Sequence, residues 1–399
     1  MSLNQRISLI ILITLTMSLS ACQTNEQNLK LTEEMVTQDS NNGWFGDLPL
    51  GFPVPNVPID QQMSAEKIAL GRHLFYDPRL SGNQTQSCAS CHEQAKAFSD
   101  GESQSTGSTG ELTPRNSMSL TNVAYSSTYT WANPTLDRLE SQIVIPLFGE
   151  RPVEMGLSGF EDEVLVRLIE DETYQTLFAS AYPQTDEPVS IHHVVESIAS
   201  FVRTLISGQS PFDDFVYRQK IDALDESARR GMDLFFSERL ECHHCHGGFN
   251  FSFSTVHQNS SITEVGFHNT GLYNLDNNGG YPMGSYGVYE VTGDPQDMGK
   301  FKAPTLRNIA LTSPYMHDGS MTNLDEVIRF YEAGGRLITE GLFAGDGREN
   351  PLKSDFISGF TLSDQERLDL IQFLNALTDE TFINHPKFSD PWMGSSQKK

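Results

Sequence analysis

Five cysteines occur in the 399 residues, and four of them form two pairs of one spacing. Cys88-Ala89-Ser90-Cys91 is followed at once by His92, and Cys242-His243-His244-Cys245 by His246. Covalent haem attachment requires this order: two thiols add across the two vinyl groups of one porphyrin, and the adjacent imidazole comes under the iron. Four thiolates from two C-x-x-C pairs could instead hold a structural zinc ion, and an oxidising compartment could join them as disulfides. Neither alternative accounts for a histidine directly after the second cysteine of both pairs. The motifs therefore predict two haem c groups, one on Cys88, Cys91 and His92, the other on Cys242, Cys245 and His246.

The other face of each iron decides the chemistry. No histidine occurs between His92 and His192, so the N-terminal haem is expected to keep an open position, with Met118 and Met155 as the nearby residues able to close it. His243 and His244 are read as facing solvent or standing behind the haem ligands.

An internal repeat indicates what positions the two sites. Gly71, Leu74, Phe75, Arg79 and Leu80 recur at a constant offset as Gly231, Leu234, Phe235, Arg239 and Leu240, and each copy leads into its own C-x-x-C-H motif. Helical spacing marks both copies. It returns over 191–206, with Val194, Val195, Ile198, Phe201, Val202 and Leu205 on one face, and over 363–377, where Ser363 and Glu366 have capping-box spacing. Residues 101–113 are rich in Gly, Ser and Thr and read as an exposed loop, while scattered Gly and Pro over 247–315 predict long loops around the second site. The expected fold is mainly α, with two homologous halves at 46–215 and 216–385.

The N-terminus reads as an export signal. Residues 7–19 are an apolar run too short to span a bilayer comfortably, followed by Leu19-Ser20-Ala21-Cys22, which resembles a bacterial lipobox. Residues 1–22 are thus expected to be a lipoprotein signal peptide, with lipid on Cys22, and 23–45 a flexible tether. Gln23 leans towards the outer membrane by resemblance to known lipoproteins. This predicts a periplasmic protein that meets the membrane only through its anchor. The formal charge of −25 argues against binding nucleic acid.

Phe301-Lys302-Ala303-Pro304-Thr305-Leu306-Arg307-Asn308, running on to Pro314-Tyr315-Met316-His317-Asp318-Gly319, resembles the bacterial dihaem cytochrome c peroxidase and MauG superfamily. Arg115-Asn116, Leu139-Glu140-Ser141-Gln142 and Pro152-Val153-Glu154-Met155-Gly156 extend the resemblance to roughly residues 60–380. Tyr129-Thr130-Trp131-Ala132-Asn133-Pro134 and Asp297-Met298-Gly299-Lys300 are most similar to the MbnH-like branch. The resemblance implies two cytochrome c-like helical haem domains. It also implies roles: Glu154 as the carboxylate that shuttles a proton at the open haem, Gln142 and Pro146 lining the same region, and Trp131 relaying electrons between haems. Asn116, Thr312 and Pro314 match ligands of a calcium ion, for which oxygen donors are suited.

One departure is informative. Conventional peroxidases of the family place a Met fourteen residues beyond the position of His317; here that residue is Tyr331, as in MauG. A phenolate favours ferric and higher iron, whereas Met favours ferrous iron. Met316, Met321 and Met283 are the rival ligands. The resemblance so read implies an enzyme that takes hydrogen peroxide at the haem on His92 and oxidises a partner protein over a distance. In the MbnH-like case that partner is an MbnP-like copper-binding protein. The alternatives are a conventional peroxidase fed by a small c-type cytochrome and a non-enzymatic dihaem electron carrier.

Overall fold

Serine and aspartate caps set most of the helix starts. The computed structural model describes residues 45, 48–261 and 265–393; the expected signal peptide, the lipidation site Cys22 and all but Phe45 of the tether lie outside them. Helix α1 (Ala65–Tyr76) opens where the Ser64 hydroxyl accepts the Lys67 N–H at 3.1 Å. Then come α2 (Leu139–Phe148), α3 (Glu161–Ile169), α4 (Glu172–Ala181) and α5 (Ile191–Arg203), the last capped by Ser190. The second half holds α6 (Pro211–Val216), α7 (Glu226–Phe235), α8 (His243–His246), α9 (Tyr289–Thr292), α10 (Leu324–Glu332), α11 (Asp364–Asn375) and α12 (Glu380–Ile383). At α11 the capping box forms as expected: Ser363 Oγ accepts the Glu366 N–H at 3.3 Å and Glu366 Oε2 accepts the Ser363 N–H at 2.8 Å. Strands are few and short, the antiparallel pairs β1 (Phe267–His268) with β2 (Phe301–Lys302), and β3 (Leu337–Ile338) with β4 (Gly345–Asp346). The mainly α expectation stands. Among the described residues no helix is long and apolar enough to cross a membrane.

The repeat has a packing counterpart. Helix α1 crosses α5 and α7 crosses α11, each at the repeat's glycine. A Cβ on Gly71 would stand 1.8 Å from the Ser197 carbonyl oxygen, and one on Gly231 would stand 1.9 Å from that of Asp369. Both crossings thus require the absence of a side chain, since backbone meets backbone. Around them lie two hydrophobic clusters. One contains Leu74, Phe75, Phe98, Leu157, Phe178 and Phe201; the other contains Phe235, Phe251, Ile328, Leu370 and Phe373.

The clusters draw on both sides of residue 215. Phe382, with Phe388 and Trp392 against it, joins the N-terminal cluster, while Trp131 and Ala132 join the C-terminal one. From Leu48 onward the described chain packs as one unit. Buried polar groups tie the halves. The Asp379 carboxylate accepts from Ser207 Oγ (3.1 Å), Gly208 N (3.0 Å) and Gln209 N (2.9 Å), and the Asp379 N–H donates to Asn308 Oδ1 at 2.7 Å. Arg307, from the motif quoted above, is fully buried and meets both carboxylate oxygens of Asp213 at 2.9 Å.

The candidate haem sites

The two attachment segments are held alike. His92 Nδ1 donates to the Phe98 carbonyl at 2.8 Å, and His246 Nδ1 faces the carbonyls of Phe251 and Pro304 at 3.2 and 3.1 Å. A proton held on Nδ1 leaves the Nε2 lone pair for iron. Phe98 (φ 60°) and Phe251 (φ 50°) both adopt the left-handed region, which is unfavourable for a bulky side chain. In both halves that backbone turn aims the carbonyl at the imidazole. Burial lowers the affinity of both imidazoles for a second proton, bringing His246 down to about 4, as a neutral ligand requires.

The placement of the four thiols separates the haem reading from a four-thiolate zinc site. Burial pushes the thiols of Cys88 and Cys242 up to about 12 and those of Cys91 and Cys245 to about 11. All four are free of disulfides, and among the described residues they do not gather around one point. In the C-terminal half a cavity of about 260 Å³ is walled by Cys242, Cys245 and His246 together with Trp131, Tyr331 and His317. A largely apolar cavity meeting both thiols and the imidazole suits a porphyrin.

Glu154 is close enough to the first motif to act on it electrostatically. Its charge is one of the influences that push the Cys91 thiol up, and burial raises its own carboxyl above the ordinary range. No side-chain partner holds that carboxyl among the described residues; its backbone is held instead. Ser108 N donates to the Glu154 carbonyl at 2.7 Å, and Met155 N donates to the Pro146 carbonyl at 2.9 Å. Pro146 stands inside α2 and has no N–H for the carbonyl of Gln142, four residues back. Gln142 Oε1 is buried without a partner, an acceptor left over near this site.

The expectation of an exposed loop at 101–113 needs correction. Its outer residues are exposed, but Ser105, Gly107 and Thr113 are buried. A Cβ on Gly107 would stand 1.9 Å from the Val153 carbonyl oxygen, so this glycine admits the backbone that carries Glu154. Small and polar composition signalled a loop without signalling what it packs against.

Trp131 is bonded to the segment that follows the first motif and lines the second site. Its Nε1–H donates to the Asn116 carbonyl at 2.8 Å, and the next residue, Ser117, donates through Oγ to the Cys91 carbonyl at 2.8 Å. Its ring lines the C-terminal cavity. Asn116, Thr312 and Pro314 line that cavity too; Asn116 Nδ2 donates to the Glu102 carbonyl at 2.8 Å, which leaves Oδ1 open.

Of the residues weighed as ligands opposite His246, Tyr331 and Met316 line the cavity, whereas Met283 is 90% exposed at the surface and Met321 is packed in the hydrophobic cluster. Tyr331 is half-buried in the cavity wall, and burial together with the thiols of Cys245 and Cys242 raises its phenol above the ordinary value. Met118 also lines this cavity, and Met155 is in the N-terminal cluster. The sequence did not single out two further groups here. His317 is stacked on Phe301 at 3.5 Å with its Nε2 buried and unpartnered, and buried Lys302 donates to the Thr128 carbonyl at 2.5 Å. Both sit in the quoted motif, whose density of polar residues within an apolar stretch was the available signal.

Known proteins place this architecture. The family model described as di-haem cytochrome c peroxidase matches residues 65–221. A cytochrome-c peroxidase of Pseudomonas sp. (strain SCT) is 35% identical over 82% of this chain and 85% of its own. The methylamine utilization protein MauG of Methylorubrum extorquens is 32% identical over 81% of each. The crystal structure of a MauG-like protein associated with microbial copper homeostasis superposes with a TM-score of 0.85 at 50% identity, covering 87% of this chain and 99% of that one. This chain belongs to the di-haem cytochrome c peroxidase and MauG family and is a peroxidase-type oxidoreductase built to carry two c-type haems.

Proposed function

We propose that this protein is a MauG-type enzyme of the MbnH-like kind, which uses hydrogen peroxide to oxidise a partner protein by long-range electron transfer. The observation that carries the reading is Tyr331 in the wall of the cavity that holds His246, at the position where conventional relatives have Met. When bound, the haem on His92 supplies the iron at which peroxide is reduced, and the two haems together accommodate two oxidising equivalents. Glu154 takes a proton from the entering peroxide and returns it to the departing oxygen, with Gln142 and Pro146 shaping the space around it. Trp131, bonded to the Asn116 carbonyl and lining the second cavity, relays electrons between the two sites. Tyr331 would hold the second iron as a phenolate, which would favour its ferric and higher states over the ferrous one.

The 50% identical neighbour is a MauG-like protein associated with copper homeostasis, which supports an MbnP-like copper-binding protein as the partner. The proposed setting is periplasmic, with lipid on Cys22 anchoring the domains 46–215 and 216–385 to the outer membrane. A calcium ion on Asn116, Thr312 and Pro314 is proposed between them; the open Asn116 Oδ1 supports it. Mixing peroxide with the all-ferric protein tests the reading. The spectra of both haems should change in one event without prior reduction, and Tyr331→Phe should alter the spectrum of the C-terminal haem while leaving haem content intact. A protein silent until reduced, with a spectrum untouched by Tyr331→Phe, refutes it. The second reading is a conventional peroxidase drawing electrons from a small basic cytochrome. The peroxidase names of several relatives and the −25 charge favour it, and fast turnover with ferrocytochrome c would select it.

A further inference from the structure

Haem attachment leaves two residues of the second motif unused. His243 and His244 lie between the two cysteines at the start of α8, with ring centroids 4.3 Å apart and planes tilted by 32°. Glu238 brings its carboxylate to both, with Oε1 3.6 Å from His243 Nε2 and Oε2 3.6 Å from His244 Nε2. One donor atom from each of the three residues lies within 4.8 Å of the other two, and among the described residues no other set of His, Cys, Asp and Glu converges in this way.

The spacing suits a shared ion better than direct bonds. At 3.6 Å neither imidazole is hydrogen-bonded to the carboxylate. A cation bonded at 2.0–2.2 Å to each donor would hold adjacent donors ~3–4 Å apart. His243 Nδ1 is turned inward without a partner, so Nε2 is the nitrogen it offers outward. Phe356 stacks on the His244 ring at 4.9 Å and 18°, which fixes its plane. The Glu238 side chain is 81% exposed and free to close the last few tenths of an ångström.

We propose that Glu238, His243 and His244 bind a divalent transition-metal cation at the rim of the C-terminal haem cavity. Two imidazoles and one carboxylate are donors of intermediate softness, for which copper(II) ranks above zinc(II). Three protein ligands leave the remaining positions to water. The site is joined to the haem site by its own backbone, since both histidines lie between the haem-bearing cysteines, and by Phe356, which lines the cavity. A positive charge there favours the reduced over the oxidised haem. Reciprocally, the reduced haem tightens ion binding.

The test uses the holoprotein. Copper(II) sulfate is titrated against a competing chelator and followed by the copper EPR signal. One equivalent is expected to bind at least about tenfold more tightly than any further copper, with coupling to two nitrogens. Glu238→Gln lies outside the attachment motif and keeps the haem ligands, and it should weaken that equivalent at least about tenfold, as should His244→Asn. His192→Asn, where the exposed His192 brings Nε2 within 3.4 Å of the buried Glu196, is the control and should change nothing. Zinc(II), which has no redox chemistry, should raise the midpoint potential of the C-terminal haem in the parent and not in Glu238→Gln. Absence of a tight equivalent, equal weakening by His192→Asn, or tight binding that survives Glu238→Gln overturns the site. A tight site with an unmoved potential overturns its coupling to the haem.

Discussion

Replacing Glu154 by Gln asks the most of the proposed chemistry and disturbs the least structure. The side chain has no hydrogen-bond partner among the described residues, and its backbone bonds are indifferent to the change. Stability should therefore move by no more than about 0.5 kcal/mol. The other carboxylates at hand are engaged: Glu111 Oε2 accepts the Val153 N–H at 2.9 Å, and Asp100 is bonded to the Ser105 hydroxyl. No neighbour is thus free to take over proton transfer. Losing a positioned acid–base group lowers a rate by roughly 10²–10⁴, equivalent to ~3–5 kcal/mol of barrier. Stopped-flow mixing of holoprotein with peroxide measures it, with haem content checked for each sample.

The pH profile gives a second reading of the same residue. Burial raises the Glu154 carboxyl, and its ionised form is the one that accepts the peroxide proton. The rate should fall as pH drops through that raised value, at a higher pH than for an exposed glutamate, and the limb should vanish in Glu154→Gln. A variant within threefold of the parent, or one that keeps the acidic limb, would falsify the assignment of Glu154.

Trp131→Phe should lose about 0.5–1.5 kcal/mol from its bond to the Asn116 carbonyl; peroxide should still react at the first haem while the spectral response of the second is delayed. Asp213→Ala strands the buried Arg307 guanidinium and should cost about 3–5 kcal/mol in denaturant unfolding. Adding Arg307→Met to it should cost less than the sum of the two single changes. Gly231→Ala places a Cβ 1.9 Å from the Asp369 carbonyl and forces α7 from α11. The gain in helix propensity does not offset this, and a loss of about 1–3 kcal/mol is expected, read as a lower melting temperature.

The sequence by itself determined whatever depends on neighbours along the chain. Haem attachment is legible because two vinyl groups and one iron demand two thiols and an imidazole within a single turn. The helices at 65–76, 191–203 and 364–375 are legible because apolar period and, for the last, a capping box are local properties. The repeat showed even the glycines of both helix crossings, though not what they cross. Tertiary structure decided everything that rests on distant partners. Gly107 meets the backbone of Val153, Trp131 bonds to Asn116, and residues 380–392 return to the N-terminal cluster. The raised carboxyl of Glu154 comes from surroundings supplied by several segments, and burial is a property of the assembled chain. For the same reason three donors could be seen to converge at Glu238, His243 and His244 only once the turn between them had been folded. Covalent logic is written in adjacency, whereas electrostatic environment depends on what folding brings close.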